Sequence, residues 1–253
     1  MFGVVPRTLW ERMTEPDSQN RIHLQTNCLL LDDGERTVII ETGFGGKWSD
    51  KERGFYNLQR RTIEDALHEI NLDPAEITDV IVSHLHFDHA GGLTTLPDGA
   101  DEPAPTFPNA AVHVQQTEWD DATSNRAIMT KTYLRSHLDP ITDRVKLVRG
   151  EKEILPGIHV EPAPGHTWGQ HMIFFEDSRG TLCFPGDVMP TANHVGLAFS
   201  MGYDVEPYTN MLTKRALLDR AASDGWRLVI DHEPGDAVVE VERDPDRPDR
   251  HAL

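Results

Sequence analysis

Apolar positions fall in short runs, and their period changes along the chain. Residues 22–31 and 36–41 each read as a strand, and Asp32-Asp33-Gly34 between them is turn chemistry that closes a hairpin. Thr42-Gly43-Phe44-Gly45-Gly46 then breaks the pattern with three glycines. Over residues 61–70, Ile63, Ala66, Leu67 and Ile70 follow the spacing of one helix face. Asp73-Pro74-Ala75-Glu76 carries an N-cap residue and a first-turn proline, which marks a second helical start. Asp79-Val80-Ile81-Val82-Ser83 is a short buried strand. Residues 97–108 hold four prolines and read as a surface loop, 110–115 as a strand, and 118–138 as helical in part. Residues 146–148, 158–162, 172–176 and 181–184 read as further strands. A helix over 214–223 buries Leu217, Leu218 and Ala221, and 228–230 is a final buried strand. Two strand-rich halves, each followed by a helix, predict an α/β fold of sheets packed face to face with helices outside. The pattern predicts a single domain over 1–239. The last residues, 240–253, hold five acids, three arginines and two prolines and are expected to fray.

Composition narrows the function classes. The chain has 253 residues, 38% of them hydrophobic and 26% charged, which is a globular balance. Forty-two acidic residues against 24 basic ones leave a net charge of −18. Such a surface repels phosphate backbones and anionic lipid, so neither nucleic acid nor membrane is an expected partner. No apolar run reaches membrane-spanning length, and residues 1–6 lack the features of a secretory signal, so the cytoplasm is the expected location. Cys28 and Cys183 each sit in an apolar run and read as buried thiols, not as a disulfide framework.

The chemistry concentrates in His84-Leu85-His86-Phe87-Asp88-His89. Four metal-ligating side chains fall within six residues, directly after a buried strand. In extended backbone His84 and His86 point to one side, while a turn can aim Asp88 and His89 at a second position. The cluster can therefore serve two metals, and its imidazole and carboxylate donors suit zinc and its neighbours. Further along, His166, Asp187 and His232 would each be weak evidence alone: a turn residue, a cap and a core histidine.

The string Ser83-His84-Leu85-His86-Phe87-Asp88-His89-Ala90-Gly91-Gly92 resembles the signature of the metallo-β-lactamase superfamily. Pro164-Gly165-His166-Thr167 resembles its third-histidine motif, Phe184-Pro185-Gly186-Asp187 its strand-end aspartate, and Asp231-His232 its last histidine. The resemblance covers roughly residues 22–235. It implies an αββα sandwich of two packed mixed sheets. It also implies two divalent ions, zinc by default with manganese, iron or cobalt as alternatives. His84, His86 and His166 would hold the first ion, Asp88, His89 and His232 the second, and Asp187 both. The implied chemistry is hydrolysis by hydroxide that the two cations make available at neutral pH.

Other strings are similar to a bacterial branch that includes the YtnP-like quorum-quenching lactonases. They include Phe2-Gly3-Val4-Val5-Pro6-Arg7, Phe107-Pro108-Asn109-Ala110, Glu118-Trp119, Met189-Pro190-Thr191-Ala192-Asn193-His194 and Met201-Gly202-Tyr203-Asp204. That resemblance implies a small ester or lactone substrate, with N-acyl homoserine lactones as candidates. The chain departs from the pattern in three places. Pro190 stands where homoserine lactonases place a tyrosine, so Tyr203 and His194 become candidates for positioning the substrate, and Asp88 for proton transfer. Glu41 replaces the usual aspartate before Thr-Gly, which alters support of the ligands rather than the ligands themselves. Relatives carry a strand and loop ahead of the Phe-Gly motif, whereas here Met1 directly precedes Phe2; either the true start lies upstream, or the sheet lacks an edge strand, which would expose residues 22–31 to another chain. A homodimer through the N-terminal segment is a further expectation. Phe2, Val4, Val5, Trp10, Phe44, Trp48, Phe87, Trp168 and Phe199 could wall a pocket for an acyl chain.

Competing readings keep the metal site and change the bond: a phosphotriester, an aryl ester, a thioester or a β-lactam. A thioesterase of the glyoxalase II kind and a nuclease both call for basic surfaces that this chain lacks. An iron-dependent redox protein or a non-catalytic metal binder forms a different class. A full ligand set disfavours both.

Overall fold

The computed structural model describes residues 1–124, 131–247 and 250–253. The chain divides into two compact units. One covers residues 28–148, the other residues 1–27 together with 149–253.

The 28–148 unit is built on a five-stranded mixed sheet in the order β1-β2-β3-β6-β7. Its strands are β1 (Leu29–Asp32), β2 (Thr37–Ile40), β3 (Asp79–Ile81), β6 (Ala111–Gln115) and β7 (Val145–Val148). β4 (Thr94–Thr95) and β5 (Ala104–Pro105) form a separate short pair. β1 and β2 form the expected antiparallel hairpin. In its turn the Asp33 carboxylate accepts from the backbone amides of Glu35 and Arg36 at 2.9 and 2.7 Å, and Gly34 supplies a φ of +83°. The pairs β2–β3, β3–β6 and β6–β7 are parallel. Val38, Ile39, Ile40, Val80, Ile81, Val112 and Val114 are all buried, as parallel strands covered on both faces require. Helices α1 (Asp50–Tyr56) and α2 (Ile63–Glu69) each start with a capping box, Ser49 with Glu52 and Thr62 with Asp65. α3 (Phe87–Ala90), α4 (Gln116–Thr123) and α5 (Arg135–Leu138) complete the unit. The part of the expected 118–138 segment at 125–130 lies outside the described residues.

The second unit carries a six-stranded sheet in the order β13-β12-β11-β10-β9-β8. The strands are β8 (Lys152–Leu155), β9 (Ile158–Pro162), β10 (His171–Asp177), β11 (Gly180–Phe184), β12 (Arg227–Val229) and β13 (Val238–Glu240). Only β11–β12 is parallel. Helix α6 (Pro207–Asp224) buries Leu217, Leu218 and Ala221 in a cluster with Met172, Phe174, Cys183 and Leu228, and ends at Gly225 with φ +70°. Burial pushes the Cys183 thiol up, so it is a packing group.

Three expectations differ from the structure. Of the strand expected over 22–31, only Leu29 onward pairs in a sheet. Residues upstream belong to the second unit, where the amides of Gln25 and Asn27 donate to the carbonyls of His232 and Asp231. α6 begins seven residues earlier than its apolar period suggests, because its first half buries the polar residues Asn210 and Lys214. The segment expected to fray forms an antiparallel pair, β14 (Glu242–Arg243) with β15 (His251–Ala252), anchored by buried Val241. Among the described residues, no helix is long and apolar enough to cross a membrane.

Two buried histidines make the fold sensitive to acid. Burial, and secondarily Lys47, pushes His137 on α5 down to about 3. Burial pushes His194 down to about 4, against a hydrogen bond to the Met1 carbonyl that acts upward. Below the unfolded value of about 6.5 the unfolded chain binds protons that the fold refuses, so stability falls as pH drops from about 6.5 toward 4. Each group contributes a slope of up to about 1.4 kcal/mol per pH unit in that window. Urea unfolding of chelator-treated protein between pH 7.5 and 4.5 checks this. His137→Gln should flatten the slope, and a wild-type stability that is constant down to pH 5 would contradict it.

Candidate metal centre

In the 28–148 unit the ligand run begins where β3 leaves the sheet. β3 lies between two parallel neighbours, so the run leaves the sheet at the shared carboxyl end of β2, β3 and β6. His84 and His86 follow in irregular backbone, and Asp88 and His89 lie on the short helix α3. His84, His86 and His89 are buried. Their rings gather: His84 lies 4.5 Å from His86 and 3.9 Å from His89, between centroids. Asp88 is a quarter exposed, with Oδ1 3.9 Å from His89 Nε2.

Two buried carboxylates grip the backbone on either side of His84. Glu41 Oε1 accepts from the Ser83 amide at 2.7 Å, and Glu118 Oε1 accepts from the Leu85 amide at 2.9 Å. Glu118 also accepts from the Tyr133 hydroxyl at 2.8 Å. Glu41 stands at a φ of +64°, and its other oxygen is 3.4 Å from His89 Nδ1. The longer glutamate thus reaches both the backbone before His84 and the ring of His89. Ser83 Oγ lies 3.0 Å from His84 Nδ1, which leaves Nε2 of that ring for a ligand.

The second unit gathers the remaining candidates. His166 follows Gly165 in the loop between β9 and β10. Asp187 sits in a single 3-10 turn after β11, and His232 lies just beyond β12. Gly165 has φ +140°, and a Cβ there would lie 2.6 Å from Asn210 Cβ, so the close approach of loop and helix needs glycine. Asp187 Oδ2 is 3.1 Å from His166 Nε2, and Oδ1 is 3.2 Å from His232 Nε2. One carboxylate therefore offers an oxygen to each of two imidazoles. On the far side of each ring, Nδ1 of His166 is 2.9 Å from Asp204 and Nδ1 of His232 is 2.8 Å from the Gln25 carbonyl. These partners select Nε2 as the ligating nitrogen.

His194 faces the N-terminal segment. His194 Nε2 lies 3.2 Å from the Met1 carbonyl, its Nδ1 lies 2.7 Å from Thr191 Oγ1, and its ring stacks on Phe2 at 4.7 Å. Tyr203 is 63% exposed. Reading the sequence missed Glu118, Asp204, Asp231 and Lys214 as functional residues. Asp231 is buried with Oδ2 3.7 Å from His232 Nε2, and its adjacency to that histidine was the available signal. Lys214 is buried and donates to the carbonyls of His194, Gly196 and Phe199 at 2.9, 3.1 and 2.6 Å. Burial pushes its ammonium down to about 8, opposed by the charge of Asp204.

A profile of the metallo-beta-lactamase superfamily matches residues 21–232, a span that contains every one of these metal-ligand candidates. The chain belongs to the metallo-beta-lactamase superfamily. An N-acyl homoserine lactonase of Bacillus thuringiensis is 30% identical over 170 residues, 62% of this chain and 61% of that protein. The chain thus spans about three-fifths of the length of that curated relative. N-acyl homoserine lactonase AttM of Rhizobium johnstonii is 23% identical over 219 residues, 80% of this chain and 76% of that one. Among solved structures, a probable metal-dependent hydrolase from Staphylococcus aureus is 28% identical with a TM-score of 0.89, covering 100% of this chain and 90% of that one. AidC, a dizinc quorum-quenching lactonase, shares the fold of this metallo-beta-lactamase chain at 18% identity, with a TM-score of 0.74 over 90% of this chain and 78% of that one.

Proposed function

We propose that this chain is a dinuclear metal-dependent hydrolase that opens lactones or related small esters, with N-acyl homoserine lactones as the first candidates. The observation that carries the reading is the Asp187 carboxylate, which faces one imidazole with each oxygen, His166 at 3.1 Å and His232 at 3.2 Å. The donors fit a metal: buried imidazoles whose Nδ1 atoms are held by Ser83, Asp204 and Gln25, together with carboxylates. In this proposal His84, His86 and His166 would hold one ion, Asp88, His89 and His232 would hold the other, and Asp187 would serve both. Zinc is the first choice, and the same donors accept manganese, iron or cobalt. Two such ions, when bound, lower the pKa of water and polarise a carbonyl oxygen.

The chain's own residues do the rest. Glu41 and Glu118 hold the His84 backbone in place. Asp88, partly exposed beside His89, is the proposed carrier of a proton to the leaving alkoxide. Exposed Tyr203 is the proposed group for orienting the substrate carbonyl. We assign His194 a supporting role, since its ring nitrogens face Thr191 and the Met1 carbonyl. A cavity of about 340 Å³ is lined by Trp48, Phe55, Tyr56, Phe87 and Leu134, with Lys51, Glu52 and Lys131. Phe87 lies between His86 and Asp88 in the ligand run, so this aromatic wall supports an acyl chain beside the reacting centre.

Turnover of a panel tests this: acyl homoserine lactones of four to ten carbons, an aryl ester and a phosphotriester, with metal-reconstituted protein. Lactone opening should be abolished by a chelator. Burying two of the six added methylenes at about 0.8 kcal/mol each predicts a rise of roughly 15-fold in kcat/KM from the shortest to the longest chain. Turnover confined to the phosphotriester would discard the lactonase reading, and turnover that survives metal removal would discard the hydrolase mechanism.

A further inference from the structure

We propose that Asp204 is a positioning residue for the metal centre, acting through His166. The inference rests on the metal-ligand role of His166 proposed above. Asp204 has a fully buried side chain. Its Oδ2 is occupied by the Asn210 side-chain amide at 3.0 Å and the Met201 backbone amide at 3.1 Å. Its Oδ1 lies 2.9 Å from His166 Nδ1. The two donors on Oδ2 fix the carboxylate plane, and the fixed plane aims Oδ1 at the imidazole. A carboxylate in that position makes Nδ1 the protonated nitrogen, turns the Nε2 lone pair outward and raises the basicity of the ring as a ligand.

The surrounding backbone shows that this aim is built in. The amides of Val205 and Glu206 donate to the carbonyls of His166 and Gly165 at 3.1 and 2.8 Å, so the Asp204 loop runs alongside the histidine loop. α6 then clamps both. Asn210, Thr213 and Lys214 share one helix face by their spacing of three and four. Asn210 holds Asp204, and Thr213 Oγ1 donates to the Pro164 carbonyl at 2.8 Å. Lys214 holds the 194–199 segment. Gly165 lets the histidine loop touch Asn210 directly. A carboxylate needed only to brace the loop could have spent both oxygens on backbone amides. Here one oxygen is directed at the ring of a ligand.

The test compares wild type, Asp204→Asn and Asn210→Ala by competitive chelator titration with zinc, and by cobalt(II) absorbance in the metal-substituted protein. Unfolding of each metal-free protein is followed in parallel. Wild type should bind two equivalents. Asp204→Asn should weaken one equivalent by about 10- to 100-fold, leave the other close to wild type and alter the cobalt spectrum. Asn210→Ala keeps the carboxylate but frees its plane, and should weaken the same equivalent by less. It carries the test if Asp204→Asn does not fold. Wild-type affinity for both equivalents in the variant that folds overturns the proposal, and so does equal weakening of both equivalents in step with lost stability. A wild-type protein that binds no divalent metal overturns the hydrolase reading itself, and the proposal with it.

Discussion

Replacing His86 or Asp187 with alanine is expected to remove bound metal and turnover together, with turnover falling by at least ~10³-fold. His86 is buried directly before α3 and belongs to the three-ring cluster, so its loss takes a donor from a site that water cannot refill with equal affinity. Asp187 is the more costly loss, because its two oxygens face His166 and His232 and both imidazoles lose their shared carboxylate. Metal analysis should show about one equivalent missing from His86→Ala and more from Asp187→Ala, with folding checked by circular dichroism. Retained activity in a metal-poor variant would sink the scheme.

Gly91→Ala should be the most destabilising single methyl in the ligand region. A Cβ at Gly91 would fall inside the van der Waals envelope of the Phe44 carbonyl and lie 2.8 Å from the Gly43 carbonyl oxygen. Both obstacles are backbone and cannot rotate away. Gly45, at φ +65°, meets the Gly91 carbonyl in the same crossing, so neither strand can yield to the other. Overpacking of this kind costs about 3 kcal/mol or more. Because Thr42 Oγ1 donates to the His89 carbonyl at 2.6 Å beside this crossing, metal affinity should fall as well. Gly46→Ala is the matched control. Its nearest neighbour is Thr62 Cγ2 at 3.6 Å, ordinary contact, and it should change stability by less than about 1 kcal/mol. Denaturant midpoints that match for the two variants would refute the steric account.

Several elements were legible in the chain because local pattern and tertiary environment agree. The central strands β2 and β3 are buried on both faces and carry continuous apolar runs at 38–40 and 80–82. α2 has both its apolar face and its capping box in sequence. β8 was missed because it is an edge strand with exposed Lys152 and Glu153, and an edge requires no apolar pattern. The first half of α6 was missed for a related reason. Its buried side chains are Asn210 and Lys214, which are stable there only because they meet a carboxylate and three carbonyls in other segments. The end segment 240–253 looked too charged to fold, yet a buried Val241 and a short strand pair hold its described part.

What the sequence determined by itself was the superfamily and a run of candidate donors. His84, His86, Asp88 and His89 are neighbours along the chain, so their proximity needed only one strand end and one turn. The superfamily followed from that run together with the spacing of His166, Asp187 and His232. The tertiary structure alone decided which atoms hold the donors. Glu118 reaches Leu85 across 33 positions, Asp204 reaches His166 across 38, and the Gln25 carbonyl reaches His232 across 207. A lone acid or a backbone carbonyl has no signature at such distances. Its role arises only when folding brings it within about 3 Å of a group that must be held, the range in which a hydrogen bond fixes direction.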